Sequence, residues 1–124
     1  MDSKSYIFSS HNFKIDMEMF MHSVANCVND NKQFSLVYKM LKDVDMYSMV
    51  LFDNVLLRKA VGMSKPTYYG FMKRLVGTEL VKRVSTTGVR GKIKYMVNPY
   101  IIYNHKKTRA NDMYAENCDM WNSL

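Results

Sequence analysis

Residues 53–76 read DNVLLRKAVGMSKPTYYGFMKRLV, and this stretch decides the fold. Asp53 predicts the start of a helix, because its carboxylate can accept a hydrogen bond from a free amide of the first turn. Gly62 stands where that helix must stop, since glycine readily adopts the left-handed conformation that closes many helices. Ser64 predicts the cap of a second helix, and Pro66 suits its first turn, where a missing amide proton matters least. The stretch therefore predicts two helices joined by a tight turn.

The second predicted helix, residues 64–76, is expected to end at Gly77. It divides into an apolar face and a polar face. Tyr68, Met72 and Leu75 recur at the spacing of one helix face, with Phe71 beside them, so we expect them in the core. The opposite face mixes hydrogen-bonding, aromatic and cationic groups and comprises Lys65, Thr67, Tyr69, Gly70, Lys73 and Arg74. We expect this face to meet a partner, with the glycine allowing a close approach.

Residues 80–98 have the pattern of two short basic strands around a loop. The loop, residues 85–91, contains Gly88 and Gly91, which supply the unusual backbone angles of a tight tip. The return strand alternates with period 2, with Lys92, Lys94 and Met96 on one side and Ile93, Tyr95 and Val97 on the other. Two strands directly after two helices and a tight turn are the layout of a winged helix-turn-helix.

The flanking segments predict three more helices and a strand. Residues 16–28 predict a helix whose apolar stripe is Met17, Phe20, Met21, Val24, Cys27 and Val28. Residues 32–41 predict another, with one face formed by Phe34, Val37, Tyr38 and Leu41. Residues 46–52 predict a short strand. From about residue 108 the spacing predicts a C-terminal helix that folds back on the N-terminal helices or pairs with a second subunit.

These elements predict a mainly α fold with a small β-hairpin. The whole chain, residues 1–124, is expected to form one winged helix-turn-helix domain with extra N-terminal and C-terminal helices, since 124 residues can bury one modest core. Residues 1–30 are predicted to form an N-terminal arm and helix, residues 31–98 the winged-helix core, and residues 99–124 a C-terminal extension.

Positive charge is concentrated on the predicted helix-turn-helix and wing. Residues 53–109 carry 13 Lys and Arg against 2 acidic residues, a net charge of +11. Residues 1–52 carry a net −1 and residues 110–124 a net −3. Such segregation is expected of a surface that binds phosphates. The alternative is a solvated basic face without a partner.

Catalytic, metal-binding and membrane roles find little support in the sequence. The three histidines, His11, His22 and His105, are scattered, and the two cysteines, Cys27 and Cys118, lack the spacing of a disulfide scaffold or zinc site. No phosphate-binding glycine loop and no apolar run of membrane-spanning length occurs. The N-terminus lacks the apolar core of a signal peptide. We therefore expect a cytoplasmic protein that is not an enzyme and has no cofactor.

The predicted fold assigns roles to the basic and polar residues. Residues 64–76 are expected to enter the major groove of double-stranded DNA, with Lys65, Thr67 and Tyr69 nearest the bases. Ser64 and Gly70 are also expected at the DNA surface, the glycine because it lets the helix approach the groove edge closely. Lys73 and Arg74 are expected to reach phosphate. The wing, residues 85–94, is expected on the backbone or in the minor groove, through Arg90, Lys92 and Lys94. For Tyr69 the alternative is an ordinary, partly buried tyrosine.

Two segments carry a resemblance to a known family: AVGMSKPTYYGFMKRLVGTELVKRV at residues 60–84 and GVRGKIKYMVNP at residues 88–99. Over about residues 34–99 the chain resembles the winged helix-turn-helix of the RepL-type plasmid replication initiator family. The specific points are Gly62, Ser64-Lys65, Leu75, the glycine-lysine of the wing and the closing Val97-Asn98-Pro99. The resemblance implies double-stranded DNA binding and a role in starting plasmid or phage DNA replication. Pro66 and the Tyr68-Tyr69 pair depart from a usual recognition helix.

Two functions follow from these observations. The first is a DNA-binding replication initiator or transcription regulator of a bacterial plasmid or phage, with a homodimer through the N- or C-terminal helices as an option. The second is a protein-interaction adaptor on a winged-helix scaffold that binds host polymerase or replication machinery. Its adaptable surface would be the methionine- and aromatic-rich helices, including Met17, Phe20, Met21 and Trp121. The charge segregation favours the first.

Overall fold

The computed structural model describes residues 13–84, 92–104 and 110–124 of the chain. In chain order the elements are β1 (Phe13–Ile15), α1 (Met17–Cys27), α2 (Asn31–Leu41), β2 (Met49–Asp53), α3 (Asn54–Ala60), α4 (Lys65–Gly77), β3 (Val81–Arg83), β4 (Lys92–Val97), β5 (Ile102–Asn104) and α5 (Ala110–Ser123). Within these residues the fold is mixed α/β, with five helices and a three-stranded antiparallel sheet, and it is compatible with a winged helix. The predicted loop over residues 85–91, with Arg90, lies outside the described residues.

Side-chain caps begin four of the helices. Asp16 and Asp30 accept hydrogen bonds from amides in the first turns of α1 and α2. Asp53 accepts from two amides of α3, at 2.9 and 3.0 Å, and Ser64 accepts from the Thr67 amide of α4 at 3.4 Å. The predicted caps of α3 and α4 are therefore confirmed, because the amides of a first turn lack partners within the helix.

The end of α4 differs from the prediction. Gly77 remains in the helix, and Glu79 is the residue in the left-handed region, with φ at +62°. Asn98 holds this conformation from the end of β4, since its side-chain amide donates to the Glu79 carbonyl at 2.9 Å and its backbone amide to the Leu80 carbonyl at 2.8 Å. A contact from a distant segment, rather than a local glycine, ends the helix.

The larger sheet has the order β2-β4-β3, so β4 is its central strand. β2 pairs with β4 along its whole length, from Met49 opposite Met96 to Asp53 opposite Lys92. β1 and β5 form a separate antiparallel pair that the sequence did not predict. The prediction of a mainly α fold with a small hairpin was therefore too narrow, because pairing between strands distant in the chain is not visible in local periodicity.

One face of this sheet packs on the helices. Val50, Tyr95 and Val97 join a continuous core with buried side chains of α1, α2 and α4. The Phe52 ring stacks on Tyr95 with centroids 5.6 Å apart, which extends this face toward α3. From α4 the core receives the four residues predicted to face inward, Tyr68, Phe71, Met72 and Leu75, and all four are buried.

The apolar stripes predicted for α1 and α2 were partly wrong. On α2 the buried residues include Leu36 and Met40, whereas Phe34 and Tyr38 are each 43% exposed. On α1 the side chain of Met21 is 50% exposed. The face of α2 that is buried includes a polar residue, Gln33, together with Leu36 and Met40. Burial of Gln33 is possible because its side chain accepts a hydrogen bond from the Asn29 amide at 2.6 Å.

The other face of the sheet is covered in part by α5. Trp121 packs against Met49 and Met96, and Lys82 donates to the Trp121 carbonyl at 2.9 Å while its amine lies 4.3 Å from the centre of the indole ring. Asn117 donates to the Met46 carbonyl at 2.9 Å. The helix therefore packs on the chain's own sheet, whereas the two predicted alternatives were the N-terminal helices and a second subunit. Met96 makes this packing possible because it leaves an apolar site on the lysine-bearing side of β4.

Tyr68 combines full burial with an unpaired hydroxyl. Its side chain has no exposed surface, and its hydroxyl has no hydrogen-bond partner among the described residues. Burial raises the pKa of Tyr68 far above its ordinary value, and the neighbouring Tyr95 and Tyr69 add to the effect while Arg58 opposes it. The phenol therefore stays neutral, and we expect its unpaired hydroxyl to lower the free energy of unfolding.

We predict that Tyr68→Phe leaves the free energy of unfolding unchanged or raises it, because burying an unpaired hydroxyl costs about 1–3 kcal/mol. Urea denaturation followed by circular dichroism measures the difference. Tyr69→Phe is the control, since that hydroxyl accepts a hydrogen bond from Asn54 and its removal gives a small loss. A loss above about 1 kcal/mol in Tyr68→Phe would contradict the prediction and indicate a buried water at this hydroxyl.

Candidate nucleic-acid interface

The turn between α3 and α4 is built as the sequence predicted. Gly62 has φ at +70°, and Met63 is buried beneath the turn. Two cations bind its outward carbonyls: the Lys32 amine donates to the Gly62 carbonyl at 3.2 Å, and the Arg58 guanidinium to the Met63 carbonyl at 3.1 Å. Such charge-assisted hydrogen bonds hold the two helices at a set angle.

The predicted outward face of α4 is exposed along its length. The exposed residues include all six assigned to it, Lys65, Thr67, Tyr69, Gly70, Lys73 and Arg74, together with the capping residue Ser64. Neither Lys65 nor Lys73 forms an ion pair with a described residue. Because no carboxylate neutralises these amines, their charge is available to an anionic partner.

Ser64 and Thr67 form a small hydroxyl pair at the start of α4. The Ser64 hydroxyl donates to Thr67 Oγ1 at 2.8 Å and accepts the Thr67 amide at 3.4 Å. The cap therefore sets the orientation of the Thr67 side chain on the exposed face. A threonine held in this way can present its hydroxyl and methyl groups to a partner with little loss of conformational entropy.

Tyr69 is held from two sides. Asn54 Nδ2, at the first position of α3, donates to the Tyr69 hydroxyl at 2.8 Å. The Tyr69 ring makes an edge contact with the buried Tyr68, with centroids 5.4 Å apart. Tyr69 remains 47% exposed, which agrees with the alternative prediction of an ordinary, partly buried tyrosine. That alternative does not account for the hydrogen bond that fixes its hydroxyl. Sequence reasoning missed Asn54, because 15 residues separate it from Tyr69 and only the angle of the turn brings them together.

Gly70 has no packing role inside the protein. A Cβ atom built on it would meet only the end of the Arg74 side chain, at 4.0 Å. Glycine in a helix interior costs about 1 kcal/mol relative to alanine. Nothing in the described residues explains this glycine, which leaves room for the close approach of a partner outside the chain.

Arg74 lies toward α1. Its guanidinium donates to the Cys27 carbonyl at 3.4 Å and lies 5.7 Å from the centre of the Phe71 ring. A cation at the last turn of α1 interacts favourably with the helix dipole. Burial raises the pKa of the Cys27 thiol, with Arg74 opposing that effect, so the thiol stays protonated. Arg74 thus ties α4 to α1, and its predicted contact with phosphate stays a prediction.

The two strands that flank the predicted wing loop, β3 and β4, carry four exposed or half-buried cations. Arg83 and Lys92 are exposed, and Lys94 is half-buried opposite Leu51. Lys82 is committed to Trp121 and does not add to a phosphate-binding surface. The basic count of the sequence therefore overstates the charge available to a partner.

A concave region lies beside α1 and the C-terminal end of α4, and none of the outward residues of α4 line it. It has a volume of about 430 Å³ and is lined by Glu18, Met19, His22, Ser23, Thr78, Glu79, Asn98 and Ile101. Its two carboxylates disfavour an anionic ligand. Across the described residues no three His, Cys, Asp or Glu side chains come together to hold a metal ion. None of the helices at residues 17–41, 54–77 and 110–123 has the length and apolar character of a membrane span.

Comparison of the chain with protein-family models, with curated proteins and with solved structures finds no match. The resemblance to the RepL-type plasmid replication initiator family therefore stays a prediction.

We predict that Arg58→Ala lowers the free energy of unfolding by about 1–3 kcal/mol, because it removes a charge-assisted hydrogen bond to a turn carbonyl. Hydrogen exchange at the Gly62 and Met63 amides, which bond to the Lys59 and Arg58 carbonyls, should accelerate. Lys59→Ala is the matched control, since the exposed Lys59 side chain makes no such contact. Equal stability and exchange in the two variants would show that Arg58 does not hold the turn.

Proposed function

We propose that the chain is a winged helix-turn-helix protein that binds double-stranded DNA, with α4 in the major groove and the β3–β4 wing against the backbone. One observation carries the proposal: the outward face of α4 combines lysines that pair with no described residue, oriented hydroxyls and an exposed glycine. Two cations, Lys32 and Arg58, hold the turn that precedes this helix. An α-helix fits the major groove, and its N-terminal residues reach base edges first.

The cations divide into structural and available sets. Lys32, Arg58, Arg74 and Lys82 each bind a backbone carbonyl of the chain. The exposed lysines of α3 and α4 make no such bond to a described residue: Lys59, Lys65 and Lys73. Lys65 and Lys73 lie about one helical turn on either side of Tyr69. The start of α3 does not attract phosphate, because the Asp53 carboxylate already occupies its amides. Phosphate contacts are therefore proposed for α4, Lys59 and the wing.

Lys73→Ala is expected to weaken binding to all duplex sequences, because a phosphate contact carries no sequence information. The slope of log affinity against log salt should fall in magnitude by about 0.9 for one lost phosphate contact. Fluorescence anisotropy with a labelled duplex at several salt concentrations measures both quantities.

Lys39→Ala is the matched control for Lys73→Ala, since it removes one exposed lysine from α2. An equal effect of the two substitutions would show that only net charge matters. Absence of duplex binding by the unaltered chain at low salt would overturn the proposed function.

Gly70→Ala is expected to raise stability by about 1 kcal/mol, because the added methyl group meets only the end of the Arg74 side chain, at 4.0 Å. It should nevertheless weaken duplex binding, because the methyl group fills space into which the duplex would approach. Gly77→Ala is the control, since a Cβ atom at Gly77 has no described neighbour within 4 Å and lies at the far end of α4. Thermal unfolding and anisotropy titration of both variants separate the two effects. Undiminished binding by Gly70→Ala would show that no partner approaches this glycine closely.

The role of the bound DNA is proposed from the resemblance alone: replication initiation, or transcription regulation, in a bacterial plasmid or phage. A cytoplasmic location is proposed from the two cysteines, Cys27 and Cys118, whose spacing does not suggest a disulfide scaffold. A homodimer would use α1 or α2, because the apolar side of α5 is occupied by the chain's own sheet through Trp121, Met49 and Met96.

Exposed apolar side chains favour a second candidate function, an adaptor that binds host replication or transcription proteins. Phe34, Tyr38 and Met21 are each more than two-fifths exposed. Two residues predicted for this surface are unavailable, since Phe20 and Trp121 are buried. Recovery of a host partner from nuclease-treated lysate, lost in a Phe34→Ser variant, would support the adaptor, and loss of every partner after nuclease would exclude it.

A further inference from the structure

Asn54 and Tyr69 join the two helices of the proposed DNA-binding unit at its exposed surface. Asn54 lies at the first position of α3, and Tyr69 lies in the second turn of α4. The 2.8 Å hydrogen bond from Asn54 Nδ2 to the Tyr69 hydroxyl is the only side-chain hydrogen bond between these two helices in the described residues. We infer that this pair reads one base pair of the bound duplex, with Asn54 positioning the tyrosine hydroxyl and Tyr69 making the contact.

The direction of the hydrogen bond defines what the tyrosine can recognise. A phenol hydroxyl has one hydrogen to donate and accepts through its lone pairs. Because Asn54 donates to the oxygen, the hydrogen of Tyr69 must point elsewhere, and it meets no acceptor among the described residues. The pair therefore offers a hydrogen-bond donor to a partner's acceptor.

The ring is fixed as well as the hydroxyl. Tyr68 is fully buried and makes an edge contact with the Tyr69 ring at 5.4 Å between centroids. A side chain held at the ring and at the hydroxyl loses little conformational entropy when it binds. That preorganisation favours contact with one defined atom over loose contact with the flexible phosphate backbone.

The matching acceptors lie on base edges in the major groove. Guanine offers N7 and O6, adenine N7 and thymine O4, whereas cytosine offers its amino group as a donor. A phosphate oxygen is also an acceptor, but it is present at every step of the duplex and would give no sequence preference. The inference is a base contact, and it rests on the proposed function.

The experiment begins by selecting duplexes from a random pool with the unaltered chain. Affinities are then measured for the preferred duplex and for its single base-pair variants. Tyr69→Phe should reduce discrimination at one base-pair position by about three- to tenfold, the value of a single hydrogen bond, and leave the other positions unchanged.

Three further variants test the role of Asn54. Asn54→Ala should reduce discrimination at the same position, and the double substitution with Tyr69→Phe should add nothing to Tyr69→Phe alone. Asn54→Asp cannot donate, so the phenol must turn its hydrogen toward the new carboxylate. This variant should lose discrimination as fully as Tyr69→Phe, and the ratio of affinities removes the general loss caused by its negative charge.

The chain supplies a matched control pair. Asn122 Nδ2 donates to the Tyr100 hydroxyl at 3.1 Å, which joins α5 to the segment after β4 away from the exposed face of α4. Asn122→Ala and Tyr100→Phe should leave discrimination unchanged. Thermal unfolding of each variant shows that it is folded.

Several results would overturn the inference while leaving the proposed function intact. These are a uniform loss of affinity in Tyr69→Phe, additive effects of the two substitutions, or unchanged discrimination in Asn54→Ala. Absence of duplex binding by the unaltered chain would instead overturn the proposed function itself.

Discussion

The left-handed backbone at Gly62 sets the angle between α3 and α4, and the exposed surface depends on that angle. Lys32 and Arg58 hold the turn by binding its carbonyls at 3.2 and 3.1 Å. Because Lys32 comes from α2, the turn is fixed to the core as well as closed on itself. The Asn54–Tyr69 pair exists only at this helix angle, and so does the common outward direction of the polar residues of α4.

Charge in this chain performs two separate tasks. Lys82 anchors α5 through the Trp121 carbonyl and indole ring, and Arg74 anchors α4 on the last turn of α1. These cations neutralise dipoles or pack on aromatic rings inside the chain, so they contribute to stability. The unpaired amines of Lys65 and Lys73 contribute nothing of that kind, which is why they support a partner with phosphate groups. The net charge counted from the sequence does not distinguish the cations that bind groups within the chain from those available to a partner.

The sequence predicted those parts of the fold that depend on neighbouring residues. The caps at Asp53 and Ser64, the φ of Gly62 and the inward residues of α4 are confirmed, since each follows from contacts within one or two helical turns. The stripe of α2 was placed wrongly because apolar residues occur on more than one side of that helix, and only the sheet and α4 decide which side is covered. For the site, the outward residues were predicted, but not Asn54.

The sequence by itself therefore determined the presence of the helices, the caps of α3 and α4 and the tight turn, because a few adjacent side chains and one glycine suffice to specify them. Only the tertiary structure decided the pairing of β2 with β4, the position of α5, the division of cations into bound and available, and the partner of Tyr69. Each of these depends on contacts between segments distant in the chain, as between Lys82 and Trp121, which are 39 residues apart. Local periodicity carries no information on the register or direction in which such segments meet.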